Sequence, residues 1–316
     1  YGFNSAHAYC MAIDSVTIAY LKAHYPLEFY KCVLQRFTDK GEKDKVALIK
    51  QEMLKRGYKL KDIQFGDDNR SFNIDRANNC IVQTMASIKD MPKSAPEALY
   101  ELGKSDIKNR AALYQALMDD PRINKKAIEI LFHLGYFNKF AQPNRLITEY
   151  EIYQKYISVK VLTKSSFDDI MIDVIRPCCG KETEKQFREI DNRALITALI
   201  KQANIKPTTI VDRIKWQLEY LGYCTVNDPN SDPNDWLVLD VKTTGYGTVY
   251  CTLYNLCYGA ERTYRANKKF WTNHQLSKGD VARVVLQEKN KMKKDENGEW
   301  VTLSETYQEM KVWKKL

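Results

Sequence analysis

Near residue 227 the chain changes its period, and that change limits the folds open to it. Before this point apolar residues recur mostly every three or four positions, the mark of helices packed by one face. After it they alternate, as in strands with one buried side. The stretch between, residues 227–234, reads Asn-Asp-Pro-Asn-Ser-Asp-Pro-Asn, a linker composition. A length of 316 residues is also too great for one ordinary core. The pattern therefore calls for a multidomain α+β protein.

Four segments follow from the punctuation. Apolar positions Ala12, Ile13, Val16, Ala19, Tyr20 and Ala23 lie on one face of an opening helix that Pro26 must stop. Helices are expected from Leu27 to about Phe37 and from Glu42 to Arg56, where Gly57 supplies a left-handed stop. This makes residues 1–57 the first segment. Short extended pieces and helix pairs fill 58–145. A mostly helical connector is expected over 146–226, and a β domain over 227–316. In the last, Trp236–Thr243 and Thr248–Leu256 alternate around Gly245-Tyr246-Gly247 as a hairpin should. Further strands are expected at Arg262–Trp271, Asp280–Glu288 and Trp300–Leu303, with room for a last extended piece at Glu309–Trp313. Five strands at this spacing fit an OB barrel.

The net charge is +9, with +5 of it in residues 1–150. A mild basic excess favours a polyanionic partner without proving one. No apolar run reaches membrane-spanning length, so no membrane partner is expected. Eight cysteines lack any Cys-x-x-Cys spacing, and the adjacent Cys178-Cys179 suits neither chelation nor an ordinary disulfide. They read as reduced thiols of a cytoplasmic protein. Because Tyr1 is not an initiator methionine, the chain is expected to be a fragment, a processed product or a split-gene product.

The wording at the start is more specific than the composition. Tyr1-Gly2-Phe3-Asn4-Ser5-Ala6-His7 is followed, after one helix, by Tyr20-Leu21-Lys22-Ala23-His24-Tyr25-Pro26 and then Glu28-Phe29. This resembles the C-terminal end of the fingers in family C bacterial DNA polymerases, the DNA polymerase III alpha subunits. Those carry Tyr-Gly-Phe-Asn-Lys-Ser-His, a helix, Tyr-Leu-Lys-Ala-His-Tyr-Pro and a Glu-Phe pair. Farther on, Ile88-Lys89-Asp90-Met91-Pro92-Lys93-Ser94-Ala95 stands where the family has Ile-Lys-Asn-Val-Gly-Glu-Ala-Ala. Asn124-Lys125-Lys126 and Gly135-Tyr136-Phe137-Asn138 match the family's Asn-Lys-Arg…Gly-Ala-Phe-Asp, and Gln217–Tyr223 resembles its lead-in to a terminal barrel.

The resemblance implies the C-terminal part of a replicative polymerase, divergent enough to suggest a phage version. Its architecture would be the helical end of the fingers, a tandem helix-hairpin-helix domain gripping duplex DNA, and an OB barrel guiding the single-stranded template. The reaction would be nucleotidyl transfer from a deoxynucleoside triphosphate with Mg²⁺, and its other partners an upstream palm and thumb portion and a sliding clamp. No convincing clamp motif is visible; Gln217-Leu218-Glu219-Tyr220-Leu221 fits loosely and reads better as packing.

By the same resemblance Tyr1, Asn4 and His7 share the edge of a nucleotide pocket. The other reading of Asn4 or Ser5 is a helix cap. The family's lysine is Ser5 here, which removes a charge from that edge. A helix-hairpin-helix holds phosphates through backbone amides, with lysines alongside. Lys89 and Lys93 flank the first hairpin, although Pro92, without an N–H, replaces its glycine. Lys125, Lys126 and Lys139 accompany Gly135 in the second. In the barrel, Lys289, Lys291 and Lys293 with Trp300, Tyr246 and Lys268 supply charge and rings for a single strand.

Catalytic residues and metal ligands are expected to lie outside this chain. The nearest acidic cluster, Asp168, Asp169 and Asp173, has helical spacing and reads as a solvated helix face. The competing reading is a stand-alone nucleic-acid-binding protein without enzymatic activity; a third is an inactive polymerase-like scaffold.

Overall fold

The computed structural model describes residues 5–267, 271–272, 275–294 and 299–316. Backbone contacts divide the chain into two units, Tyr1–Thr208 with Lys215–Tyr223, and Thr209–Ile214 with Cys224–Leu316.

The first unit opens with α1 (Ser5–His24), α2 (Pro26–Asp39) and α3 (Lys43–Lys55). Pro26 sits at the first position of α2, where its missing N–H costs nothing. None of the α1 side chains is buried, so the predicted apolar face has no cover among the described residues. Its end is held by Lys22, whose ammonium lies 2.7 Å from Glu52 of α3. Helices α2 and α3 pack Leu34, Val46 and Met53 against Phe72 and Ile81. Each such side chain contributes roughly 1.5–3 kcal/mol on burial. They cover a small sheet of β1 (Lys59–Lys61), β2 (Asn73–Asp75) and β3 (Cys80–Val82), in the order β1-β3-β2.

A second core is shared by α4 (Ala95–Gly103), α5 (Arg110–Asp119), α6 (Lys125–His133) and α7 (Pro143–Tyr156) with the elements that follow. Asn109 and Asn124 start α5 and α6 by accepting from the amides of Ala112 and Ala127. Leu113, Leu131, Phe137 and Leu146 are fully buried where these helices meet.

The segment read as a helical connector is not wholly helical. Besides α8 (Asp169–Ile175), α9 (Asn192–Gln202) and α10 (Ile210–Leu221) it holds β4 (Val161–Thr163), β5 (Cys179–Glu182) and β6 (Gln186–Ile190). These form an antiparallel sheet in the order β4-β6-β5. The strands are three to five residues long, and only Leu162 and Phe187 in them are buried. Too few apolar positions exist there for alternation to be read.

The second unit is a closed five-stranded barrel of β7 (Asp235–Thr243), β8 (Val249–Asn255), β9 (Glu261–Ala266), β10 (Val281–Lys294) and β11 (Trp300–Lys315). Around it the order is β10-β11-β9-β8-β7, with β9 and β11 parallel and every other neighbour antiparallel. Val238, Cys251, Leu253, Tyr264, Ala282, Val284 and Met310 fill its interior. The last two strands are longer than expected. Residues 289–294 belong to β10 rather than to a loop, and β11 runs unbroken across the two short strands foreseen.

Candidate nucleic-acid interface

Two short connections in the first unit lie side by side. One follows a 3-10 turn (Met85–Ser87) and leads through Ile88–Ser94 into α4. Ile88 and Met91 anchor it in the core, while Lys89 and Lys93 are exposed. Asp90 takes the left-handed backbone, at φ 59°. The Ile88 carbonyl accepts a 2.7 Å hydrogen bond from Lys43 Nζ. The other connection, Asp120 to Asn124, joins α5 to α6. Its Ile123 is buried, and Arg122 donates to Asp120 and to Glu101 of α4, each at 2.7 Å. Ser94 Oγ donates to the Arg122 carbonyl at 3.0 Å, which joins the two connections directly.

Lys125 and Lys126 are exposed in the first turn of α6, beside the second connection. Lys126 lies 3.4 Å from Glu129 and 5.5 Å from the centre of the Tyr220 ring. Gly135 ends the same helix at its other end, with φ 72°. Nine helical residues, about 13 Å of rise, separate these positions. Lys139 belongs to the far end as well, with its ammonium 4.3 Å from the Phe65 ring centre and 5.0 Å from that of Phe140. The structure thus brings Lys125 and Lys126 to the paired connections and leaves Gly135 and Lys139 elsewhere.

His7 is exposed in the first turn of α1. Its expected companions Tyr1 and Asn4 lie outside the described residues, as does Lys268 of the barrel. Gln217 and Tyr220 of the loose clamp-like string are buried, and Tyr220 meets His133 Nδ1 at 3.3 Å, so both serve packing.

In the barrel, Tyr246 is fully exposed at the tip of the β7–β8 turn, and Trp300 is exposed where β11 begins. Lys289 pairs with the buried Glu309, and Lys291 lies 2.7 Å from Glu305, so both carry carboxylate partners. Lys293 is exposed opposite Val301. A second set of residues escaped the sequence reading. Cross-strand register puts Lys242 beside Tyr250 and Tyr250 beside Arg265, three neighbouring strands in one row. Arg265 lies 5.7 Å from the centre of the Tyr307 ring on β11. Cation and ring alternate along this row, and all four residues face outward at least in part. They are scattered over 65 positions of sequence (307 minus 242), so only register unites them. The alternation of β8, with Tyr250 out and Cys251 in, was the one signal available.

Among the described residues no group of three His, Cys, Asp or Glu side chains is arranged to hold a metal ion. Asp168 caps α8 by accepting from the Met171 amide, and Asp173 pairs with Arg176 at 2.6 Å. No helix of the described residues is long and apolar enough to cross a membrane.

The first unit thus offers two joined turns with four exposed lysines around them, and the second a closed five-stranded barrel with a cation-and-ring row. Comparison with curated proteins gives the more particular result. The chain is 28% identical to the DNA polymerase III subunit alpha of Campylobacter jejuni over 142 residues, 44% of this chain and 12% of that protein. It is 28% identical to the Thermus aquaticus subunit over 158 residues, and 27% identical to that of Escherichia coli over 151 residues. These cover 48% and 46% of this chain, and again 12% of each relative. Over somewhat less than half its length, then, the chain is homologous to bacterial DNA polymerase III alpha subunits, of which it matches only a small part. No protein-family model matches it.

Proposed function

We propose that this chain acts as a C-terminal part of a replicative DNA polymerase of the DNA polymerase III alpha kind. It would grip DNA while the chemistry is done elsewhere. The observation that carries this reading is the joining of two short helix connections by Ser94 and Arg122, with Lys89, Lys93, Lys125 and Lys126 exposed around them. Such turns suit the two strands of a duplex, because lysines hold phosphates without reading sequence. Pro92 and Pro121 each remove one donor, and the Arg122 and Ile123 amides already donate to Asp120, so the exposed lysines carry most of the grip.

The barrel supports a second contact. The pairing of β7 with both β8 and β10, and the parallel pairing of β9 with β11, support reading it as an OB fold. The row of Lys242, Tyr250, Arg265 and Tyr307 crosses the face that such barrels use for oligonucleotides. Tyr246 in the first loop and Trp300 beside the last would stack on bases of a single-stranded template. The uncovered apolar side chains of α1, including Tyr9, Val16 and Ile18, suit a helix that docks on an upstream palm-bearing portion. That portion would hold the aspartates and Mg²⁺, and with it His7 would face the nucleotide.

The test is binding of a primer-template duplex by the whole chain at several salt concentrations. Each phosphate neutralised contributes about −0.9 to the slope of log affinity against log salt. The double variant Lys125→Ala, Lys126→Ala is expected to make that slope shallower by roughly two contacts; an unchanged slope would remove the paired turns from the account.

A further inference from the structure

A cleft of about 1230 Å³ opens in the first unit at the start of α5, the end of α5 opposite the paired connections. Its walls are the first turns of α5, the turn carrying Lys139 and Phe140, the middle of α7 and the exposed face of α9. Five cations line it: Lys108, Arg110, Lys139, Arg193 and Lys201. One carboxylate, Glu149, lies in its floor with a side chain only 2% exposed. That charge is already spent, since Arg110 donates to it at 2.6 Å and Arg145 at 2.8 Å, with the Tyr114 hydroxyl at 3.1 Å. Lys108 is 3.4 Å from the exposed Asp106 at the rim. Among the described residues no carboxylate is within ion-pair distance of Lys139, Arg193 or Lys201. The α5 amides add little, because the Asn109 side chain already accepts from Ala112.

We propose that this cleft binds phosphate groups and seats one strand of a nucleic acid. Like charges gathered in a concave site with few counter-charges repel one another, and a polyanion relieves that repulsion while releasing its own counterions. Arg193, Thr197, Ile200 and Lys201 fall on one face of α9, so cationic and apolar atoms alternate along the wall. Phosphates would meet Arg193, Lys201 and Lys139, and a sugar or base would rest against Ile200 and Phe140. The volume exceeds that of an ordinary small-ligand pocket and suits two or more linked nucleotides. Lys139, remote from Lys125 and Lys126, gains its place here. The inference deepens the DNA-binding reading and rests on it.

The experiment uses the full chain carrying Tyr250→Ala, so that the barrel does not mask the cleft. Binding of a labelled 12-mer of thymidylate, a 20-base-pair duplex and inorganic tripolyphosphate is measured before and after adding Arg193→Glu with Lys201→Glu. Both side chains are exposed, so the fold should survive. Single-strand affinity is expected to fall about tenfold or more, with the salt slope shallower by about 1.4, two contacts at 0.7 each. Restoring charge with Arg193→Lys and Lys201→Arg should recover most of it. Loss confined to tripolyphosphate would keep the phosphate site but give it a free polyphosphate as ligand. Unchanged binding of all three ligands would overturn the proposal. So would an equal loss from reversing Lys181 and Lys185, exposed lysines outside the cleft. If duplex binding persists while the cleft variant is silent, the cleft alone fails; if the unaltered chain binds no DNA, both readings fail.

Discussion

Ser94 Oγ and the backbone carbonyl of Arg122 meet at 3.0 Å, although 28 positions of chain separate them. This one hydrogen bond fixes the spacing of two turns that local sequence could only place separately. Arg122 is itself held by Asp120 and Glu101 at 2.7 Å, so the clip joins three elements.

Ser94→Ala should leave the turns folded but less well spaced. A single exposed hydrogen bond of this kind is worth about 0.5–1 kcal/mol in stability. Duplex affinity is expected to fall a few-fold while thermal unfolding moves by only a few degrees. Equal duplex affinity in the variant would mean that the spacing of the two turns does not matter.

The outer row of the barrel makes a prediction that the duplex site does not share. Tyr250→Ala should weaken single-strand binding by roughly 1–3 kcal/mol, the worth of one stacked base. Binding to blunt duplex should stay within a factor of about two. Quenching of tyrosine and tryptophan fluorescence by oligothymidylate reads both. Equal losses for the two ligands would argue against stacking on this face.

Lys50 is fully buried and donates 2.8 Å hydrogen bonds to Gln83 Oε1 and Ser87 Oγ, beneath the first connection. Burial pulls its ammonium down to about 7, with Asp62 resisting. The unfolded lysine keeps its proton to higher pH, so between these values the unfolded state binds more protons and stability rises with pH. From pH 6.5 to 8.5 the parent should gain on the order of 2 kcal/mol relative to Lys50→Met. Denaturant unfolding at the two pH values measures this. Parallel pH profiles for parent and variant would contradict it.

Glu149 behaves in the opposite sense. Burial by itself would raise its carboxyl, but hydrogen bonds from Arg110 and Arg145 hold it below the usual 4.5. Its contribution is therefore present at neutral pH and lost as pH falls through the depressed value. Both guanidiniums reach solvent, so Glu149→Gln should cost only about 1–2 kcal/mol at pH 7. The gap from the parent should narrow toward pH 3 in urea titrations. A gap that widens on acidification would show that the pair does not favour the charged carboxylate.

What the sequence revealed, and what it hid, follows from the range of each interaction. The stop at Pro26 and the alternation of β7 and β8 are local, and both were readable. The sheet of β4, β5 and β6 was not, because its strands are short and polar and their edges are paired only by tertiary register. Lys125 and Lys126 lie in the first turn of α6, a helix length away from the Gly135 they were grouped with. Lys139 was grouped with them by nearness in sequence, whereas the length of α6 carries it to the cleft. The lysines of β10 looked like a charged loop, whereas strand pairing brings the carboxylates of Glu309 and Glu305 to Lys289 and Lys291.

The central claim is that this chain holds DNA for a reaction whose metal-binding acids lie in another portion. Primer extension tests it most directly, with a labelled primer-template, deoxynucleoside triphosphates and Mg²⁺. One arm contains the chain alone, and the other adds a separately produced palm-bearing portion of a matching alpha subunit. The account predicts salt-sensitive binding without extension in the first arm, and extension in the second that falls when Lys125 and Lys126 are replaced by alanine. Extension by the chain alone would contradict it.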